Sequence, residues 1–107
     1  MLNLNKSNIQ VLMKTLPYQE YQFNNKIIVW FYDLHNHQAS ELYLNNLFVC
    51  DCSYHVLWNM KDAIGYDDTC VLFRVVNEES FYFSIFMGLG FTIDIHNFSI
   101  ISKIITK

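Results

Sequence analysis

Two clusters of side chains have the chemistry to hold a metal ion. Asp33, His35 and His37 form Asp-x-His-x-His, and Cys50, Cys52 and His55 form Cys-x-Cys-x-x-His. Carboxylate, imidazole and thiolate are the ligand types of zinc. Asn36 and Gln38, however, mark the histidine pair as a loop, and neither set has the spacing of a closed four-ligand site. The sequence therefore predicts solvated loop histidines and packed thiols, with no metal and no cofactor. A small metal-dependent enzyme built on His35, His37 and the Cys50–His55 segment is the alternative reading. Cys52 and His55 also have the spacing of a thiol–base pair on one helical turn. No nucleophile signature accompanies them, so no catalytic residue is assigned.

The carboxylates suggest recognition instead. Asp67-Asp68 and Glu78-Glu79 are adjacent acids in polar stretches, where both members stay ionised and hydrated. That is the wrong setting for raising one pKa to do acid–base work. Residues 51–94 carry Asp51, Asp62, Asp67, Asp68, Glu78, Glu79 and Asp94 against Lys61 and Arg74, a net of −5. Residues 1–50 balance, with Glu20, Asp33 and Glu41 against Lys6, Lys14 and Lys26. An acidic middle repels phosphates, which argues against direct nucleic-acid binding. Gly88-Leu89-Gly90 lacks the third glycine of a phosphate cradle, and Phe81-Tyr82-Phe83 lacks the basic companions of an RNA-stacking sheet.

What remains is a protein-binding surface. The expected contacts are Asp62, Asp67, Asp68, Glu78 and Glu79, with Tyr54 and Tyr66 as apolar anchors. Tyr18, Tyr21, Phe23 and Tyr43 are further aromatics in polar surroundings. The partner expected from this charge is a basic protein. A stoichiometric inhibitor, such as a toxin immunity protein that masks a nuclease-like domain, would need such a surface. A structural subunit or homodimer is a further alternative.

The elements that position these groups follow from composition and periodicity. The chain has 107 residues, 52% of them hydrophobic and 17% aromatic, with one Pro and three Gly. That predicts a single globular domain over 1–107. The uncharged stretch from Ser80 to Ile93 is too short for a membrane-spanning helix, and Met1–Lys6 lacks the apolar core of a secretory signal. Three cysteines, an odd count, suit a reducing compartment, so a cytoplasmic location is expected.

Ser7-Asn8-Ile9-Gln10 has the form of a capping box, which predicts a helix over 8–16 closed by Pro17. Tyr18–Asn25 reads as irregular, with a turn at Asn24-Asn25. Lys26–Asp33 reads as a central strand. Strands over 41–44 and 47–50 flank Asn45-Asn46, a two-residue hairpin turn. A helix capped by Asp51 or Ser53 then carries Val56, Leu57, Met60 and Ile64 and stops at Gly65. Strands over 69–76, 80–87 and 91–95 follow, with Gly88-Leu89-Gly90 as a break. Ile100, Ile101, Ile104 and Ile105 have helical spacing. The expected fold class is α+β: a mostly antiparallel sheet of five to six strands with about three helices, in the order α-β-β-β-α-β-β-β-α.

Overall fold

The computed structural model describes residues 7–32 and 44–106. Within them the fold is α+β, with eight strands in two antiparallel four-stranded sheets and two short helices. The first sheet runs β1 (Gln19–Phe23), β2 (Lys26–Trp30), β3 (Leu47–Asp51), β4 (Val56–Asn59) in spatial order. The second is a meander of β5 (Cys70–Asn77), β6 (Ser80–Ile85), β7 (Leu89–Asp94) and β8 (Ile100–Ile105). Helix α1 spans Gln10–Met13 and helix α2 spans Met60–Ile64.

Side-chain alternation assigns the layers. Ile28, Leu47, Val49 and Trp58 of the first sheet pack against Phe81, Phe83, Ile85, Phe91 and Ile93 of the second. The opposite face of the first sheet, with Ile27, Val29, Phe48, Cys50 and Val56, is closed by Ile9, Leu12, Met13 and Leu16 around α1. The first sheet is thus covered on both faces. That is why Lys26–Trp30 and Leu47–Cys50 read as continuous apolar runs. Asn46 ties the layers together. Its amide donates to the Phe31 and Cys70 carbonyls (3.0 and 3.1 Å) and accepts from the Cys70 N–H (2.7 Å), while the Trp30 indole donates to the same Cys70 carbonyl (3.2 Å).

Several expectations need correction. There are two sheets, not one. The predicted helix over 8–16 shrinks to one turn, because Asn8 bridges His55 and the Ser7 carbonyl accepts from Val56 N–H (2.9 Å). Those bonds take Ser7 into sheet-like pairing and away from a cap. Gln19–Phe23 is a strand: four of its five residues are exposed on the sheet edge, which gave it a polar sequence. Asn45-Asn46 is not a hairpin turn, since Asn46 is buried as the interlayer tie and β3 pairs with β2 and β4. The predicted strand over 41–44 lies outside the described residues except for Leu44.

The helix expected from Asp51 splits. Asp51 Oδ1 does accept backbone N–H bonds, from Ser53 and His55 (2.8 and 3.0 Å), but they close a turn. Val56–Asn59 is then extended, and Asn59 caps α2 by accepting from Asp62 N–H (3.0 Å), with Gly65 in the left-handed region (φ 85°) ending it. The C-terminal helix is instead β8, an edge strand of β-branched residues. A bulge opposite Thr92/Ile93 breaks its alternation and produces the helix-like spacing. Of the expected break, only Gly88 (φ 100°) turns the chain; Leu89 and Gly90 belong to β7.

Candidate functional site: an acidic, aromatic groove beside the Glu78–Glu79 turn

The sequence-predicted contact residues do not form one surface. Asp67 and Asp68 precede the start of β5, and Glu78 and Glu79 follow its end. At about 3.3 Å per residue, an eight-residue strand holds the pairs roughly 25–30 Å apart.

At the Asp68 end the carboxylates have structural partners. Asp68 is buried. Its Oδ1 accepts from the N–H groups of Thr69 and Phe86 (2.7 and 3.2 Å) and its Oδ2 from Met87 N–H (3.4 Å). It braces the β6–β7 turn and does not project from a solvated loop. Asp67 is exposed and pairs with Lys61 Nζ at 2.8 Å. Asp62 accepts from Asn59 Nδ2 (3.0 Å) as it completes the α2 cap. Tyr66 packs partly buried against the intersheet core. Tyr54, with φ 66°, donates its hydroxyl to Glu20 Oε1 (2.7 Å), and that bond pushes its pKa up to about 12. Tyr54 also packs against the α1-side core, so it is not a free anchor.

The Glu78–Glu79 end is different. Asn77 Oδ1 accepts from Glu79 N–H (2.8 Å) and Ser80 Oγ (3.1 Å), and Ile95 N–H donates to the Glu79 carbonyl (2.8 Å). The turn backbone is therefore fixed on both sides. Among the described residues no ion pair or side-chain hydrogen bond takes up the Glu78 or Glu79 carboxylate, and both residues are exposed. Glu78 flanks a groove of about 340 Å³ between β1 and β5. Tyr21 and Phe23, with rings 5.1 Å apart, line it together with Gln22, Asn24, Val75 and Asn77. Tyr21 is 46% exposed. Next to it, Lys26 and His96 adjoin the other side of Glu78. Asp94 lies nearby, its carboxyl held below the usual range by the Asn97 and His96 N–H groups, with smaller contributions from His96 and Lys26.

The groove was only half visible in the sequence. Residue type alone marks Glu78, Glu79, Tyr21 and Phe23, but the meeting of Tyr21, Phe23 and Glu78 depends on β1 and β5 lying side by side at the groove, which no local pattern encodes. A second groove of about 330 Å³ lies beside α2, between Leu57, Trp58, Asp62, Phe98 and Ile100.

The Cys50, Cys52 and His55 side chains do not converge. Cys50 is buried toward α1, and burial pushes its thiol up to about 12, whereas Cys52 is exposed. Asp51 and His55 approach at 3.6 Å. Among the described residues no group of three His, Cys, Asp or Glu is placed to hold a metal ion. Asp33, His35 and His37 lie outside the described residues. Among the described residues no helix is long and apolar enough to cross a membrane.

No family model matches this chain, and neither a curated protein sequence nor a solved structure does.

Proposed function

We propose that the chain is a small protein-binding module that takes a basic segment of its partner in the groove beside Glu78. The observation that carries this reading is that the uncommitted Glu78 carboxylate and the half-exposed Tyr21 ring line one groove beside a turn whose backbone is fixed on both sides. A lysine or arginine side chain is the natural guest. Its cation lies over the tyrosine face and ends at the carboxylate, while its methylenes cover Phe23 and Val75. The amides of Gln22, Asn24 and Asn77 suit the partner's backbone. Stoichiometric inhibition of a basic partner, the role of an immunity protein against a nuclease-like toxin, is the use we assign to it. In that role Glu78, Glu79 and Asp94 supply steering charge at one end of the molecule. Asp62, Asp67 and Asp68 are left out of the contact because other parts of the fold hold them.

The test is a photo-crosslinking phenylalanine analogue in place of Tyr21, expressed in the native host. The expected product is a covalent adduct with a basic protein. Adduct yield falls at high salt, and Glu78→Lys with Glu79→Lys weakens the purified pair at least tenfold, about 1.4 kcal/mol. An adduct whose affinity ignores both salt and the double reversal refutes the reading.

A further inference from the structure

The flank of the sandwich opposite the groove ends in β8, and every residue of that strand is exposed. Ile100 is 47% exposed, Ile101 57%, Ile104 51% and Ile105 78%. A long apolar edge strand is a template for another strand, and monomeric proteins guard such edges with charge, bulges or cover. Among the described residues these guards are incomplete. The one charge in the middle of the strand, Lys103, turns its ammonium over the Phe91 ring (5.8 Å), away from the edge. The bulge lies at the Ile100–Ile101 end and leaves Ser102–Thr106 regular.

We propose that this edge seats the β8 of a second copy of the chain, antiparallel about a two-fold axis at Ile104, so that two second sheets fuse into one of eight strands. The register follows from the backbone. Thr106 N–H donates to the Gly88 carbonyl (2.8 Å), so Thr106, Ile104 and Ser102 turn their backbone groups toward β7. Lys103 and Ile105 turn theirs outward, unpaired within the sheet. A two-fold axis at Ile104 sets Lys103 of each copy opposite Ile105 of the other. That pairs all four outward N–H and C=O sets and keeps the two lysines from facing each other. An axis at Lys103 opposes the two lysines, which is destabilising, and sets Ile105 against Ile101 at the bulge.

The chosen register also carries Ile100 and Ile101 of each copy past Thr106 of the other, toward the β6–β7 turn. There Phe86 is 75% exposed and Met87 54%, both on the turn braced by Asp68. The four isoleucines with Phe86 and Met87 offer roughly 600 Å² of apolar surface per copy. Roughly 1,200 Å² over two copies lies at the lower end of standard interfaces. An unrelated extended peptide would gain the same backbone bonds, but it would not match the Lys103–Ile105 reciprocity. This surface is separate from the Glu78 groove, so neither proposal stands on the other.

Sedimentation equilibrium from about 1 to 500 μM is the first measurement. The expected result is a reversible monomer–dimer equilibrium. Ile104→Lys, which opposes two charges across the axis, should weaken it at least tenfold with an unchanged circular dichroism spectrum. Disulfide trapping then reads the register. In a Cys52→Ser background, Ile104→Cys should oxidise to a covalent dimer, because directly opposed residues of a non-hydrogen-bonded pair sit about 4.5 Å apart at Cα, within disulfide reach. Lys103→Cys should cross-link far more slowly. A monomer throughout the range, open-ended aggregation, a dimer indifferent to Ile104→Lys, or equal trapping at both positions overturns the proposal. Glu78→Lys with Glu79→Lys should leave the dimer unchanged.

Discussion

Replacing Asp68 separates a structural carboxylate from a surface one. Asp68→Ala removes the acceptor of three backbone N–H groups. Phe86 N–H keeps a second acceptor, the Thr69 carbonyl at 3.1 Å, and Met87 N–H sits at the exposed turn with a long 3.4 Å bond, so water recovers part of it. The main loss is the 2.7 Å bond from Thr69 together with the brace between the two ends of the β5–β6 hairpin. A buried acceptor removed from charged hydrogen bonds costs about 2–3 kcal/mol in all. In a domain of this length that lowers Tm by roughly 10–15 °C. Asp68→Asn keeps one carbonyl oxygen and should lose about half as much. The neighbour Asp67 is the internal control. It pairs with Lys61 at a largely exposed site, so Asp67→Ala should cost less than about 1 kcal/mol. Urea unfolding followed by Trp30 and Trp58 fluorescence measures all three. If Asp68→Ala and Asp67→Ala agree to within about 0.5 kcal/mol, the bracing role assigned to Asp68 is wrong.

Two further outcomes follow from the packing. A Cβ built on Gly90 collides with the Tyr82 ring and hydroxyl, which lie across the strand pair under the Arg74 guanidinium (4.8 Å from the ring centroid), so Gly90→Ala should destabilise by about 1–3 kcal/mol, and Tyr82→Ala should relieve most of that penalty in the double variant. Burial raises the pKa of both Cys50 and Cys70 while Cys52 is exposed, so a thiol reagent at pH 8 should label one cysteine promptly in the folded protein and all three after denaturation; three fast thiols in the native state would contradict the packing.

Much of the second sheet was legible because local signals agreed. Asn77-Glu78-Glu79 marks a turn, β5 to β7 are β-branched or aromatic, and each strand pairs with its sequence neighbour. The misreadings share a cause. Val56-Leu57-Trp58 and Ile100-Ile101 are apolar runs too short or too irregular for one period to win, and tertiary pairing decided both as strands. Asn46 reads as a turn residue because Asn tolerates positive φ, whereas in the fold its side chain bonds the Phe31 carbonyl after β2 and the Cys70 carbonyl at the start of β5. For the groove, residue types identified the participants, but the assembly came from the stacking of two sheets. Charge counting misled most at Asp62, Asp67 and Asp68, where a net of −5 said nothing about which carboxylates already had donors.

The division into two consecutive sheets has a consequence for how the protein is made. The β1–β4 sheet is complete once Asn59 has been synthesised, yet the groups that cover Ile28, Leu47, Val49 and Trp58 extend to Ile95. At about 5–20 residues per second, translating the 36 residues from Met60 to Ile95 takes about 2–7 s, and during that interval a finished sheet shows one naked apolar face. α1 protects the other face from the start, because it is translated first and packs on Ile27, Val29 and Phe48. The nascent chain is therefore most exposed to aggregation and to chaperones in a window bounded by β4 and β7, and a translational pause placed there would lengthen it.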